Sequence, residues 1–182
     1  MTEDERYEKR ISNFGWDELA TLLSAVEKGQ TPGWKPGKAF EYLIIRAFQL
    51  DGADVRWPYD VRIGGDAVEQ IDGVAYVGGL ACLIECKDKN TRVNVEPIAK
   101  MRNQLLRRPA GIIGSVFSRR GFTEPAITLA RFTAPQTILL WTGEEVEYAV
   151  ENKSINRVLL TKYRVCIEKG LPDYNITVEE IP

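Results

Sequence analysis

The sequence predicts an α/β sandwich around a mixed sheet of about five strands flanked by helices, and two observations carry that expectation. Three apolar, strand-like runs follow one another with only glycine pairs at their turns. Two further strand-like runs are separated by segments of helical period. The first arrangement builds an antiparallel meander, and the second extends it as a parallel sheet covered by helices.

Residues from about Trp16 to Lys28 have helical spacing, with Leu19, Leu22, Leu23 and Val26 on one stripe, and the breaker GQTPGWKPG ends them. Residues 1–36 thus read as an N-terminal helical appendage. A second helix starts near Lys38, where Phe40, Leu43, Ile44, Ala47 and Phe48 form an amphipathic stripe that Asp51-Gly52 stops. The strands follow at Asp54 to Ile63, Val68 to Val77 and Leu80 to Lys87, turned by Gly64-Gly65 and Gly78-Gly79. Val95 to Arg107 is helical by Val95, Ile98, Met101 and Leu105, and GIIGSVFS reads as a buried strand. A short helix at Glu124 to Phe132 leads to a fifth strand, QTILLWTG. EEVEYAV and Ser154 to Lys169 are helical again, so a core of residues 37–150 carries a C-terminal helical extension, 151–182, packed on it.

At 182 residues, 44% hydrophobic and 27% charged, the composition is that of one globular domain with small additions. No stretch approaches a membrane span, and the charged start MTEDERYEKR lacks the apolar segment of a signal peptide, so a cytoplasmic protein without membrane contact is expected. Cys82, Cys86 and Cys166 read as reduced packing residues. The chain has no histidine, which excludes Ser-His-Asp hydrolysis, His-ligated zinc and any nuclease with a histidine base. A net charge of −2 means that affinity for nucleic acid must come from a local patch.

Asp72, Glu85 and Lys87 are the candidate reactive centre. In LACLIECKDK, Glu85 and Lys87 share one parity and therefore one sheet face, and Asp72 lies on the strand before. Hydrolysis of a phosphodiester needs an attacking water, neutralisation of phosphoryl charge and stabilisation of the leaving oxygen, all of which a carboxylate-held Mg²⁺ assists. Asp72 and Glu85 would be its ligands, with the backbone carbonyl of Cys86 as a third oxygen. Lys87, its ammonium favoured by two carboxylates, would position water and balance phosphate charge. Glu41, at the border of the stripe on the preceding helix, would hold a second metal or the attacking water; a solvated boundary glutamate fits the pattern equally. An edge strand with exposed charges is the competing reading of the centre, and the apolar LACLI argues against it.

Between Lys100 and Ala134 stand Lys100, Arg102, Arg107, Arg108, Arg119, Arg120 and Arg131 against the single acid Glu124, a candidate phosphate-facing patch. Solvated arginine faces are common on helices, and that reading stays open.

KAFEYLIIRAF, VEQIDGVAYVGGLACLIECKD and GSVFSRRGFTEPAITLAR together resemble the catalytic domain of Mrr-type restriction endonucleases, within the PD-(D/E)xK nuclease superfamily, from about Lys38 to Arg131. The resemblance implies that superfamily's αβββαβ core and Mg²⁺-dependent cleavage of DNA, with Mn²⁺ as a substitute. Carried onto this chain, the family's helix glutamate falls on Glu41, its metal aspartate on Asp72 and its E-x-K pair on Glu85 and Lys87. A glutamine facing the site from the next helix falls on Gln104, and Ser118 and Thr123 of FSRRGFT become candidate phosphate contacts, Thr123 also being a natural helix N-cap. Arg102, Arg107, Arg108, Arg119 and Arg120 complete the expected DNA surface.

Only about 35 residues precede the core-like region, too few for the separate DNA-binding domain of Mrr itself, so specificity is expected to depend on DNA shape or on a partner protein. Cleavage of double-stranded DNA further suggests a homodimer. Two rival readings are a non-catalytic DNA-binding scaffold that keeps the nuclease fold and a structure-specific nuclease of the Holliday junction resolvase kind.

Overall fold

The computed structural model describes residues 1–178; the last four residues of the expected C-terminal extension, 179–182, lie outside them. The chain opens with α1 (Glu3–Ile11) and α2 (Trp16–Glu27). No apolar stripe announced α1, because only Tyr7 and Ile11 of it are buried. A capping box starts it instead: the Glu5 N–H donates to the Thr2 hydroxyl while the Glu5 carboxylate accepts the Thr2 N–H. Next comes α3 (Lys38–Leu50), which buries its residues on nearly every side and so lies inside the molecule.

The strands expected over 54–63 and 68–77 are each broken. β1 (Asp54–Arg56) stops before Trp57-Pro58, where proline has no N–H to continue a ladder. β2 (Tyr59–Ile63) then leaves the sheet and pairs with β3 (Asp66–Ile71) as a separate antiparallel ribbon turned at Gly64-Gly65. The chain rejoins at β4 (Gly73–Val77) and β5 (Leu80–Lys87), which leaves Asp72 at the break between β3 and β4.

The remaining elements alternate as expected: α4 (Glu96–Leu106), β6 (Ile113–Ser118), α5 (Glu124–Arg131), β7 (Ile138–Thr142), α6 (Gly143–Glu151) and α7 (Ile155–Lys169). The result is a five-stranded mixed sheet in the order β1-β4-β5-β6-β7. Its first three strands are antiparallel and its last three parallel.

Period-two alternation sorts β5 between two cores. Cys82 and Ile84 join Phe117, Leu139 and Trp141 under α3, α6 and α7, while Leu83 joins Val116 and Leu140 under α4 and α5. Two glycines set the close approaches that matter for the site. A Cβ on Gly73 would lie 2.9 Å from Ile45 Cδ1, so glycine lets α3 rest on β4 beside Asp72. A Cβ on Gly114 would lie 2.6 Å from Met101 Sδ, so glycine lets α4 rest on β6. All three cysteines are free thiols. Among the described residues no helix is long and apolar enough to cross a membrane.

Candidate active site

Register brings the two carboxylates together. Gly73 stands opposite Ile84 across the β4–β5 ladder, so Asp72, one residue earlier, comes beside Glu85. Asp72 is then fixed by the Cys86 N–H, which donates to its Oδ2 at 2.8 Å. Glu85 is only 1% exposed and lies between two ammonium groups. Lys87 Nζ stands 2.6 Å from its Oε1, and Lys100 Nζ of α4 stands 2.6 Å from its Oε2. The approach of Lys87 is off the hydrogen-bonding direction and leaves Oε1 without a directed donor.

Glu41 faces this group from α3, buried, with Lys38 Nζ 2.7 Å from its Oε1. Burial, and then the charge of Asp72, pushes the Glu41 carboxyl up to about 7. Burial, and then the charge of Glu85, pushes Asp72 up to about 6, against the opposing pull of the Cys86 N–H. For Lys87 burial pulls the ammonium down, but Glu85 outweighs it and the net shift is upward. Three carboxylates therefore crowd together where α3 meets β4 and β5, with Lys38, Lys87 and Lys100 as their counter-charges.

These residues fit a hard divalent cation. Two adjacent carboxylates, one with a buried oxygen that lacks a directed donor, match what Mg²⁺ takes from a protein while keeping its other positions for water and phosphate. Among the described residues no group of three or more Cys, Asp or Glu side chains forms a metal cage, so a closed structural site of the zinc type does not fit.

The other expected site residues are placed differently. Gln104 is buried on α4, and its Nε2 donates to the Gln70 carbonyl of the ribbon at 3.3 Å. Ser118 is fully buried and donates its hydroxyl to the Gly121 carbonyl at 2.7 Å. Arg119, 8% exposed, donates to Asp88 at 2.6 Å and to Asn90 at 2.7 Å. The structure brings neither Ser118 nor Arg119 to the surface expected of a DNA contact. Thr123 caps α5, accepting the Ala126 N–H.

Arg107 and Arg108 both pair with Glu69, Arg120 faces Glu27 at 3.9 Å, and Arg131 pairs with Asp173. Of the seven cations between Lys100 and Ala134, Arg102 alone makes no ion pair among the described residues. A count along the sequence finds a surplus there because the compensating acids, Glu27, Glu69, Glu85, Asp88 and Asp173, all lie outside that stretch.

Sequence reasoning missed Lys38, Glu69 and the contact of Lys100 with Glu85. A signal existed for Lys100: it precedes Gln104 by four residues and so shares its helix face. A cleft of about 710 Å³ at the C-terminal ends of β6 and β7 is lined by Arg119, Phe122, Thr142 and Glu147, and not by Asp72, Glu85 or Lys87.

The family Mrr_cat, restriction endonuclease, matches residues 35–150, a span that contains Glu41, Asp72, Glu85 and Lys87. No curated protein matches the chain by sequence. Among solved structures, the small subunit (R.BspD6I2) of the heterodimeric restriction endonuclease R.BspD6I is similar at 14% identity and a TM-score of 0.50, over 85% of this chain and 89% of that one. A protein of unknown function, AF1548, is similar at 19% identity and a TM-score of 0.49, over 72% and 77%. At 14% identity the likeness to R.BspD6I2 speaks for the fold alone, whereas the family match spans well over half of the sequence. The chain belongs to the Mrr_cat restriction endonuclease family.

Proposed function

We propose that this protein is a Mg²⁺-dependent endodeoxyribonuclease that hydrolyses phosphodiester bonds of double-stranded DNA in restriction or defence. One observation carries the reading: Asp72 and Glu85 sit side by side and buried, where β4 begins beside the central strand β5, with Lys87 2.6 Å from the Glu85 oxygen that lacks a directed donor. Mg²⁺ held by Asp72 and Glu85, with the Cys86 carbonyl as a further oxygen, would supply Lewis-acid polarisation of a phosphoryl oxygen.

The chain's own residues do the rest. The Cys86 N–H aims Asp72 through one oxygen and keeps the other for a ligand. Lys87, held in its charged form by Glu85, offsets phosphate charge and donates to the attacking water. Glu41, with its carboxyl raised to about 7, is matched to accept a proton from that water near neutral pH. Arg102, exposed and without an ion pair among the described residues, forms the surface for the DNA backbone, joined by Arg107 and Arg108 where Glu69 releases them and by Arg120 where Glu27 does. R.BspD6I2 is the small subunit of a heterodimer, which supports a partner protein as the source of specificity here.

Supercoiled, linear, methylated and branched DNA, incubated with Mg²⁺ or Mn²⁺, test this reading, with Asp72→Ala protein as control. Metal-dependent cutting lost in the variant is the expected result. DNA binding without cutting by the wild type under every condition would replace the nuclease with a scaffold, and cutting confined to the branched substrate would replace it with a junction resolvase.

A further inference from the structure

We propose that Lys100 is a further residue of the reaction centre: it holds Glu85 in the free protein and moves to a DNA phosphate when metal and substrate bind. This rests on the nuclease reading above. The geometry begins with Gly114, whose missing side chain admits Met101 and lets α4 settle on the sheet. Lys100, next to Met101, is thereby set with its Nζ 2.6 Å from Glu85 Oε2.

One lysine suffices to compensate a buried glutamate, as Lys162 does for Glu145. Glu85 has two, and they differ in exposure. The side chain of Lys87 is 27% exposed and that of Lys100 is 42% exposed, so Lys100 stands at the solvent end of a carboxylate that is itself sealed. A cation entering at Glu85 competes with that ammonium for the carboxylate and repels it. The flexible four-carbon stem and the solvent on its open side let the Lys100 ammonium swing outward. Outward from the carboxylates is where the scissile phosphate must lie for Asp72 and Glu85 to serve it. Lys100 therefore exchanges one anion for another and keeps a partner in both states.

The test compares wild type with Lys100→Met and with the charge-retaining Lys100→Arg, after urea unfolding confirms that each folds. Mn²⁺ titrated calorimetrically into DNA-free protein should bind the Met variant roughly two- to fivefold more tightly, because a half-exposed competing ion pair is gone. DNA affinity measured across a salt series with Ca²⁺ in place of Mg²⁺ should show a slope smaller by about 0.9 in the Met variant and unchanged in the Arg variant. A folded Met variant with wild-type Mn²⁺ affinity and salt slope, beside a wild type that binds metal and cuts DNA, overturns the role of Lys100 alone. A wild type that neither binds Mn²⁺ nor cuts overturns the nuclease reading and this role with it.

Discussion

Glu85 and Glu145 are equally buried, each 1% exposed and each paired with lysine, yet their surroundings differ. Glu145, at the third position of α6, is saturated. Its Oε1 meets Lys162 Nζ at 2.5 Å and the Ile176 N–H at 3.3 Å, and its Oε2 accepts the Thr142 N–H at 2.9 Å. Lys162 is itself fully buried, donates also to the Tyr174 carbonyl and lies over the Trp141 ring. Burial pulls its ammonium down, against the charge of Glu145. That arrangement ties α6, α7 and the segment after α7 into one unit and has no capacity left for a ligand. Glu85 has partly exposed lysines, an oxygen without a directed donor and a second carboxylate beside it. The difference teaches that burial of an acid says little about its role; whether its lone pairs are all engaged says much more.

The comparison breaks first on activity. Asp72→Ala should lower the single-turnover rate of DNA cleavage by 10²-fold at the least, on the order of 10²–10³ for one lost electrostatic stabiliser, while leaving the protein folded. Undiminished cleavage would place the chemistry elsewhere. Lys162→Met should do the reverse. It leaves Glu145 buried and unpaired, costs roughly 3–5 kcal/mol in urea unfolding, and leaves cleavage per folded molecule as in wild type. A cost below about 1 kcal/mol would mean that the Glu145 pair is not the anchor its saturation implies.

A smaller effect follows from the raised carboxyls. Asp72 binds its proton more tightly folded, at about 6, than unfolded, near 3.8, so its burden on stability is absent below 3.8 and complete above about 6. Metal-free protein should thus lose stability as pH rises through that window, Glu41 adding a loss of the same sense up to about 7. Asp72→Asn should flatten the profile and gain about 1–3 kcal/mol at pH 8. A profile identical to wild type, read by thermal or urea unfolding, would remove the crowding argument. The smallest change is Thr142→Ala, which takes the hydroxyl from the α6 capping box and should cost about 1 kcal/mol without altering Mn²⁺ affinity.

The grouping of Asp72, Glu85 and Lys87 was legible because it is local. Glu85 and Lys87 share parity on a strand whose other residues are apolar, and one turn links that strand to β4, which begins just after Asp72. The helices with apolar stripes were legible for the same reason, whereas α1 begins from a capping box and buries too little to form a stripe. The strand run across Trp57-Pro58 carried its own warning in the proline. The break at Asp72 falls on Asp72-Gly73, an Asp-Gly pair like the Asp51-Gly52 that stops α3, and the ribbon forms there by pairing β3 with β2.

From the sequence alone came the α/β architecture, the absence of histidine chemistry and the grouping of Asp72, Glu85 and Lys87, all properties of period, composition and nearest strands. Only the tertiary structure decided which charges are free. Arg119 closes on Asp88 and Glu27, Arg107 and Arg108 on Glu69, Lys100 on Glu85 and Lys162 on Glu145, each across a span that no local pattern bridges. Charge pairing depends on distance in space, and the fold alone sets that distance.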